Sequence, residues 1–151
     1  MKVHVWAGIS KRGRTGICIF DGIMERFLFC EIIEKTLLPF LTEKFPRGHR
    51  FMQVYDPKHT SIYATDFLRS HQVYWWRTPA ESPDLNPIEN MWHELKEFNR
   101  REVKPQTKDE LVAGIIRFCD TVTVDKCKKY INHLNKVIPK VIELSGAETG
   151  Y

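Results

Sequence analysis

The sequence predicts an α/β domain with a mixed sheet flanked by helices. Short β-rich runs alternate with segments whose apolar residues recur every three or four positions, in the order β-β-α-β-α-β-α-α-α. The chain has 151 residues, the size of one ordinary domain, and its 42% hydrophobic content supports a buried core. The sequence has no internal repeat or linker, and no run approaches the ~18 consecutive apolar residues of a membrane span.

The first elements are predicted to be a β-hairpin and a long helix. Residues 4–9 and 17–20 are apolar and flank a polar loop that contains glycine, which is typical of a hairpin. Residues 24–44 carry apolar side chains near 3.6-residue spacing, which predicts an amphipathic helix that Pro39 can kink. The turn residues at 46–48 end this helix.

The middle of the chain is predicted to be a strand, a helix and a second strand. The strands are expected at 50–55 and 73–76, where apolar and aromatic residues cluster. Thr60 or Ser61 can cap the helix between them, which runs to about Ser70.

The last third of the chain is predicted to be helical. Asn86 is the expected N-cap and Pro87 the first residue of a helix whose apolar stripe reaches Phe98. Two further helices are expected at 107–119, opened by a T-K-D-E capping box, and at 124–144.

The net charge and the cysteine spacing narrow the range of possible functions only slightly. A net charge of +4 permits an anionic partner such as nucleic acid but does not require one. The four cysteines lack CxxC spacing, which favours reduced intracellular thiols over a disulfide framework or a zinc site. The first residues lack the apolar core and cleavage site of a signal peptide.

One cluster of reactive side chains follows the predicted strand at 50–55. Asp56 and His59 could bind a metal ion or assist proton transfer, since ligands gather at strand ends in open α/β folds. The residues alone favour a simpler interpretation, in which Asp56 and Pro57 start a turn and Thr60 caps the next helix.

A second cluster surrounds the start of the helix at Pro87. Glu89 falls in its first turn, where a carboxylate complements the helix dipole for about 0.3–1 kcal/mol. It could equally serve as an oxygen ligand for a hard cation such as Mg²⁺.

Several side chains are candidates for contacting nucleic acid. Lys96, Arg100 and Arg101 follow the helix and could meet phosphates, although such charges are more often only a solvated face. Trp75 and Trp76 could stack on bases, but strand alternation directs at least one of them into the core.

Two runs resemble the catalytic blocks of Tc/mariner-family transposases, which are DDE superfamily endonucleases. The block usually written Q-D-N-x-P-x-H resembles the run M-Q-V-Y-D-P-K-H-T-S at 52–61. Its partner, S-P-D-L-N-P-I-E-x-x-W, resembles S-P-D-L-N-P-I-E-N-M-W at 82–92. The run V-W-A-G at 5–8 is similar to the family's V-W-G strand, so the resemblance covers essentially the whole chain.

This resemblance implies a ribonuclease-H-like fold in which three carboxylates hold two Mg²⁺ ions against a DNA phosphodiester. The third carboxylate falls on Glu89, whereas Val54 occupies the position of the second Asp, with 34 residues (55–88) between them. Asp56 is a weak substitute for the lost ligand, because Pro57 and the turn make its direction uncertain. Since the chain starts at the V-W-G strand, we expect the family's central first strand and its Asp to be missing, together with the preceding DNA-binding region.

The resemblance therefore implies a partial DDE domain at 1–145 and a loose tail at 146–151. We expect weak, non-specific DNA binding, with Lys58, His59, Asn86, Lys96, Arg100 and Arg101 as contact candidates, and loss of cleavage and strand transfer. Mg²⁺ is implied by the family, but we expect no productive binding of it here. The family also implies a nuclear location, and a homo-oligomer stays open.

Two alternatives remain. The chain could be the C-terminal part of a longer transposase, or a repurposed protein-interaction module that uses the helices after Thr107.

Overall fold

A computed structural model of the chain describes residues 2–49, 51–53, 61–77 and 86–133. The strands in these ranges are short: β1 (His4–Trp6), β2 (Ile9–Ser10), β3 (Gly13–Arg14), β4 (Cys18–Phe20), β5 (Phe51–Gln53) and β6 (Trp75–Arg77). The α-helices are α1 (Arg26–Ile32), α2 (Leu38–Lys44), α3 (Ile62–Ser70), α4 (Ile88–Phe98), α5 (Lys108–Asp120) and α6 (Val124–Asn132). None of the helices in these ranges is long and apolar enough to span a membrane.

The described strands form three two-stranded ladders, two antiparallel and one parallel, and helices flank them as the predicted α/β fold requires. β1 pairs with β4 and β2 with β3, both antiparallel, whereas β5 and β6 are parallel. The predicted hairpin is confirmed, with His4 opposite Phe20, and its loop folds into the small β2–β3 ladder. Gly13 closes that ladder at φ +120, a conformation that side chains disfavour.

The long predicted helix is present, but Pro39 is accommodated without interrupting it. The helix begins at Arg26 because the Glu25 carboxylate caps it, accepting the Leu28 N–H at 2.8 Å. A π-helical turn, Ile33–Leu37, joins α1 to α2 just before the proline. Because Pro39 has no N–H to donate, the wider turn lets the helix continue past it.

The helix–strand unit in the middle of the chain follows the prediction with shifted boundaries. The Ser61 hydroxyl accepts the Ala64 N–H at 3.1 Å, which confirms Ser61 as the cap of α3. The predicted strand at 73–76 begins only at Trp75, because the Val73 N–H donates back to the Leu68 carbonyl at 2.8 Å. Positions 50 and 54–55 of the other predicted strand lie outside the described residues.

The C-terminal helices are confirmed with two corrections. Thr107 caps α5 by accepting the Glu110 N–H at 3.2 Å, but the Glu110 carboxylate accepts from Gln106 at 2.6 Å instead of from Thr107. The expected capping box is therefore displaced by one residue. A π-helical turn, Asn99–Val103, extends α4. The predicted helix at 124–144 and tail at 146–151 are described only up to residue 133.

Two hydrophobic clusters lie on opposite faces of the short sheets. The α1–α3 cluster is centred on Phe29, Cys30, Ile33, Leu37, Ala64, Leu68 and Val73. The α4–α6 cluster is centred on Met91, Leu95, Ile115, Phe118, Cys119, Val122, Cys127 and Tyr130. Val5 packs against the α4–α6 cluster and its neighbour Trp6 against the α1–α3 cluster, as strand alternation requires. The four cysteines are free thiols, as predicted.

Candidate functional site

A cavity of about 300 Å³ lies where β1 and β5 meet the start of α4. Its walls come from β1, the chain that follows it, β5, α2 and residues 86–92. The apolar part of the lining includes Val5, Trp6, Leu37, Phe40, Leu41, Phe45, Phe51, Met52, Ile88 and Trp92. The polar part includes Ser10, Thr15, His49, Gln53, Asn86 and Glu89.

Glu89 reaches this cavity because of how α4 begins. Pro87 already has helical dihedrals, and the Asn86 side-chain oxygen accepts the Ile88 N–H at 3.3 Å. The Asn86 carbonyl accepts the Glu89 N–H at 3.1 Å. The helix thus begins one residue later than predicted, with Pro87 at the N-cap position, while the Asn86 side chain bonds the first helical N–H. Glu89 is an exposed carboxylate in the first turn, where the helix dipole favours it.

Gln53 and His49 supply the other notable polar groups of the cavity. Gln53 is only 6% exposed, and neither its amide oxygen nor its amide nitrogen has a hydrogen-bond partner in the described structure. His49 Nε2 accepts the Tyr74 N–H at 3.2 Å, and burial lowers the pKa of the imidazole. His49 was not predicted as a site residue, because its place at the cavity depends on a partner 25 positions away and no local motif signals it.

The described residues do not by themselves fit a two-metal centre. Glu89 and His49 supply one carboxylate and one imidazole among the residues that line the cavity. The described ranges contain no group of three or more His, Cys, Asp or Glu that could hold a metal ion. Two divalent ions about 3.5–4 Å apart need several shared carboxylates, so the described residues support no metal-dependent step.

A strip of polar side chains runs along the exposed face of α4. Glu89, His93 and Lys96 lie at helical spacing on one face, all exposed, while Met91 and Leu95 are buried on the other. Lys96 lies two turns from Glu89, a rise of about 10 Å along the axis. The strip can therefore present a positive charge near the cavity to an extended anion.

Two arginines extend this strip beyond the end of α4. Arg100 and Arg101 are exposed and contact the Glu97 carboxylate at 2.8 and 3.0 Å. The hydrogen bond from Arg100 lowers the pKa of Glu97, whose partial desolvation acts in the opposite direction. Glu97 therefore stays ionised and holds both guanidinium groups at the surface.

The structure separates the predicted site residues into three groups. Asn86 and Glu89 lie together at the cavity, whereas Lys96, Arg100 and Arg101 lie farther along α4 and its π-helical turn. Trp75 is half-buried against the α1–α3 cluster and is therefore part of the core. The remaining predicted residues, Val54, Asp56, Lys58 and His59, together with the Trp76 side chain, lie outside the described part of the chain.

The chain is similar to known transposases over nearly its whole length. A family model described as DDE superfamily endonuclease matches residues 1–112. The Tcb2 transposase of Caenorhabditis briggsae is 36% identical over 149 residues, and the Tc1 transposase of Caenorhabditis elegans is 29% identical. Each match covers 99% of this chain and 54% of the relative, so the chain spans about half the length of these curated relatives.

The fold is also that of a solved catalytic domain. The structure of the Mos1 transposase catalytic domain with Raltegravir and Mg matches with a TM-score of 0.79, covering 97% of this chain and 75% of that one. The two sequences are 18% identical, so the likeness establishes the ribonuclease-H-like fold that the sequence predicted and nothing finer.

Proposed function

The chain belongs to the DDE superfamily endonucleases of the Tc/mariner type, and from that membership we propose that it binds DNA without cutting it. The observation that carries the loss of cleavage is Val54, an aliphatic residue at the position where the family has its second metal-binding Asp. A valine has no lone pair to offer a cation. Among the described residues that line the cavity, Glu89 and the imidazole of His49 are too few ligands for the two-metal displacement that the family performs.

DNA binding is supported by the basic side chains of α4 and the turn that follows it. Lys96, Arg100 and Arg101 are exposed, and the net charge of the whole chain is +4. Phosphate contacts of this kind supply most of the non-specific affinity of a protein for DNA, and they weaken steeply with increasing salt. We place the DNA backbone along the exposed face of α4, in a protein that acts in the nucleus.

A plasmid-nicking assay tests the loss of cleavage. The chain is incubated with supercoiled plasmid in Mg²⁺ or Mn²⁺, and we expect no nicking above the level of Glu89→Ala. Val54→Asp alone should also fail to restore activity, because one further carboxylate beside Glu89 still leaves the metal pair short of ligands. Metal-dependent nicking that disappears in Glu89→Ala would overturn the proposal.

A mobility-shift series at increasing salt tests DNA binding. We expect a shift at low salt that is lost steeply as the salt concentration rises. Lys96→Ala should reduce the slope of log affinity against log salt by about one, the value for one lost phosphate contact. Lys35→Ala is the matched control, since Lys35 is an exposed helical lysine held by Glu31 at 2.7 Å on α1. Absence of any shift, together with a stoichiometric protein partner in a pull-down, would instead favour an interaction module.

A second candidate is that the chain is the C-terminal part of a longer transposase, and the coverage of only 54% of the curated relatives favours it. In that case Val54 alone decides activity, and we still expect the natural longer protein not to cleave DNA. We expect the longer protein to gain cleavage on Val54→Asp, whereas the present chain does not, and the same nicking assay distinguishes the two.

A further inference from the structure

Two tight turns from distant parts of the chain meet beside the cavity. The first joins β2 to β3 at residues 10–13, and the Ser10 hydroxyl closes it by donating to the last carbonyl of the turn at 3.0 Å. The second ends α2 at residues 44–48, where the Gly48 N–H donates to the Phe45 carbonyl at 3.3 Å. Ser10 and Phe45 both line the cavity. We call these two segments the paired turns.

Arg12 holds the paired turns together and stays open to solvent. Its guanidinium lies 4.4 Å from the centre of the Phe45 ring, and its Nη1 donates to the Lys44 carbonyl. A guanidinium carries five N–H donors, and the bond to Lys44 uses one of them. Because the side chain is already held in one direction, less conformational freedom is lost when the other donors meet an anion.

The paired turns concentrate positive charge. Residues 10–13 and 43–48 contain four basic side chains, all exposed, and a single acidic one. The basic residues are Lys11, Arg12, Lys44 and Arg47, and the acidic residue is Glu43, which contacts Lys44 at 3.5 Å. Cations at the C-terminal end of α2 complement the helix dipole, which explains Lys44 and Arg12 in structural terms. The dipole does not call for Lys11, which belongs to the other turn.

The position of the paired turns relative to α4 suggests one ligand for both. Ser10 and Phe45 form part of one wall of the cavity, and Glu89, at the start of the polar strip of α4, lies at the same cavity. Basic side chains therefore lie on the α4 side of the cavity and on the side of the paired turns. A single small anion can occupy one of these places only, whereas a nucleic-acid backbone, with its regularly repeated phosphates, can reach both.

We propose that the paired turns are a second contact surface for the DNA backbone, on which Lys11, Arg12 and Arg47 bind phosphates of the same DNA molecule that lies along α4. The inference rests on the proposed DNA-binding function and adds a surface to it. Arg12 can bind a phosphate through two parallel N–H groups, whereas Lys11 contributes a point charge.

The salt dependence of DNA binding tests this surface. On a short duplex of random sequence, Lys11→Ala and Arg47→Ala should each lower the slope of log affinity against log salt by about one. Lys11→Ala combined with Lys96→Ala should lower it by about two, because both side chains contact one DNA molecule. Lys35→Ala, on the surface of α1, is the control and should leave the slope unchanged.

Acetylation of lysines gives a second measurement that needs no variant. The chain is treated with an amine-acetylating reagent with and without the duplex, and the modified lysines are identified by mass spectrometry. We expect the duplex to suppress acetylation of Lys11 and Lys96 at low salt but not that of Lys35, and high salt should abolish the suppression.

The outcomes separate this inference from the proposed function. If Lys96→Ala lowers the slope while Lys11→Ala and Arg47→Ala do not, and DNA leaves Lys11 open to acetylation, the paired turns do not bind DNA although the chain does. A lower urea midpoint of unfolding in Lys11→Ala or Arg47→Ala, with an unchanged slope, would assign these side chains to the fold and also overturn the inference. Absence of any shift with the natural chain would overturn the proposed function as well, and binding of an acidic protein instead of DNA would do the same.

Discussion

The α1–α3 cluster and the α4–α6 cluster differ in how far along the chain their contacts reach. The α1–α3 cluster is built from a continuous stretch between Phe29 and Val73, packed against β5 and β6. The α4–α6 cluster joins Ala7 and the N-terminal hairpin to helices that end beyond Tyr130. Arg14 adds a polar connection there, donating to the Cys119 carbonyl at 2.9 Å across 105 positions.

The division of the core into two clusters explains where the cavity lies. Each cluster packs around its own set of helices, and the short strands are divided between the two clusters. β1 is the wall that both clusters share, through Val5 on one face and Trp6 on the other. The cavity lies beside this shared strand, where β1 and β5 meet the start of α4, and Glu89 lies at its border.

The largest expected effect is the removal of a side chain from the centre of the α1–α3 cluster. Phe29 is fully buried, and Phe29→Ala should lower the free energy of unfolding by about 3–5 kcal/mol in urea titrations. Phe27→Ala, at a position 50% exposed on the same helix, is the control and should cost far less. If the two clusters unfold together, hydrogen exchange in α5 will speed up as well. Exchange that speeds up only in α1–α3 would show that they are separate units.

A second prediction concerns the contact between α5 and the π-helical turn. Glycine to alanine in a helix normally gains about 0.5–1 kcal/mol. At Gly114 the new Cβ would lie 2.6 Å from Asn99 Oδ1 and 2.8 Å from Val103 Cγ2, so something must shift. We expect Gly114→Ala to destabilise the chain by about 1–3 kcal/mol, measured by thermal and urea unfolding.

The control for Gly114 is its exposed neighbour on the same helix. Ala113→Gly should lose only the ordinary helix propensity, about 0.5–1 kcal/mol. Helix propensity alone predicts opposite signs for the two substitutions, whereas the close packing predicts that both destabilise. A gain in stability from Gly114→Ala would contradict the packing of α5 on Val103.

A third prediction concerns the hydroxyl of Tyr130 in the α4–α6 cluster. It donates to the Glu94 carboxylate at 2.5 Å, and Lys126 lies 3.4 Å from the same carboxylate. Burial, and then the hydrogen bond to Glu94, raise the pKa of Tyr130 well above its usual range. Tyr130→Phe should cost about 1 kcal/mol at neutral pH, since one hydrogen bond is lost.

The pH dependence of that difference has a definite sign. The folded state holds the phenolic proton more tightly than the unfolded chain, whose tyrosine ionises near pH 10. The stabilisation is therefore complete below that pH and is lost as the pH rises above it. The stability difference between the natural chain and Tyr130→Phe should shrink in urea titrations above pH 10, and a constant difference would contradict a raised pKa. The buried cysteines titrate equally in both proteins and cancel.

The sequence predicted the local elements better than their pairing. The caps at Ser61 and Thr107 and the apolar stripe of α4 depend on residues within three or four positions, and all are confirmed. The division of the described strands into separate ladders depends on residues far apart in the chain, since β1 and β5 are more than 40 positions apart, and no local pattern encodes it. The π-helical turn before Pro39 is likewise an adjustment to the proline and the surrounding packing.

The same contrast applies to the candidate site. Glu89 and Asn86 could be predicted because they belong to a distinctive motif at a helix start. The contributions of His49 and Gln53 to the cavity arise from distant parts of the chain that meet only in the folded structure. Gln53 was part of a recognised run, but its buried and unpaired amide could not be inferred from that run.

The smallest expected effect on stability tests whether the basic strip beyond α4 is structural. Arg100 is exposed and contacts Glu97, and exposed ion pairs contribute little because solvent screens them and two long side chains must be ordered. Arg100→Ala should leave the urea midpoint of unfolding unchanged while it weakens DNA binding at low salt. Lys35→Ala, which breaks a comparable helical pair with Glu31, should change neither property. A clear loss of stability in Arg100→Ala would mean that the strip serves the fold, and then its charges would be poor support for a DNA-binding face.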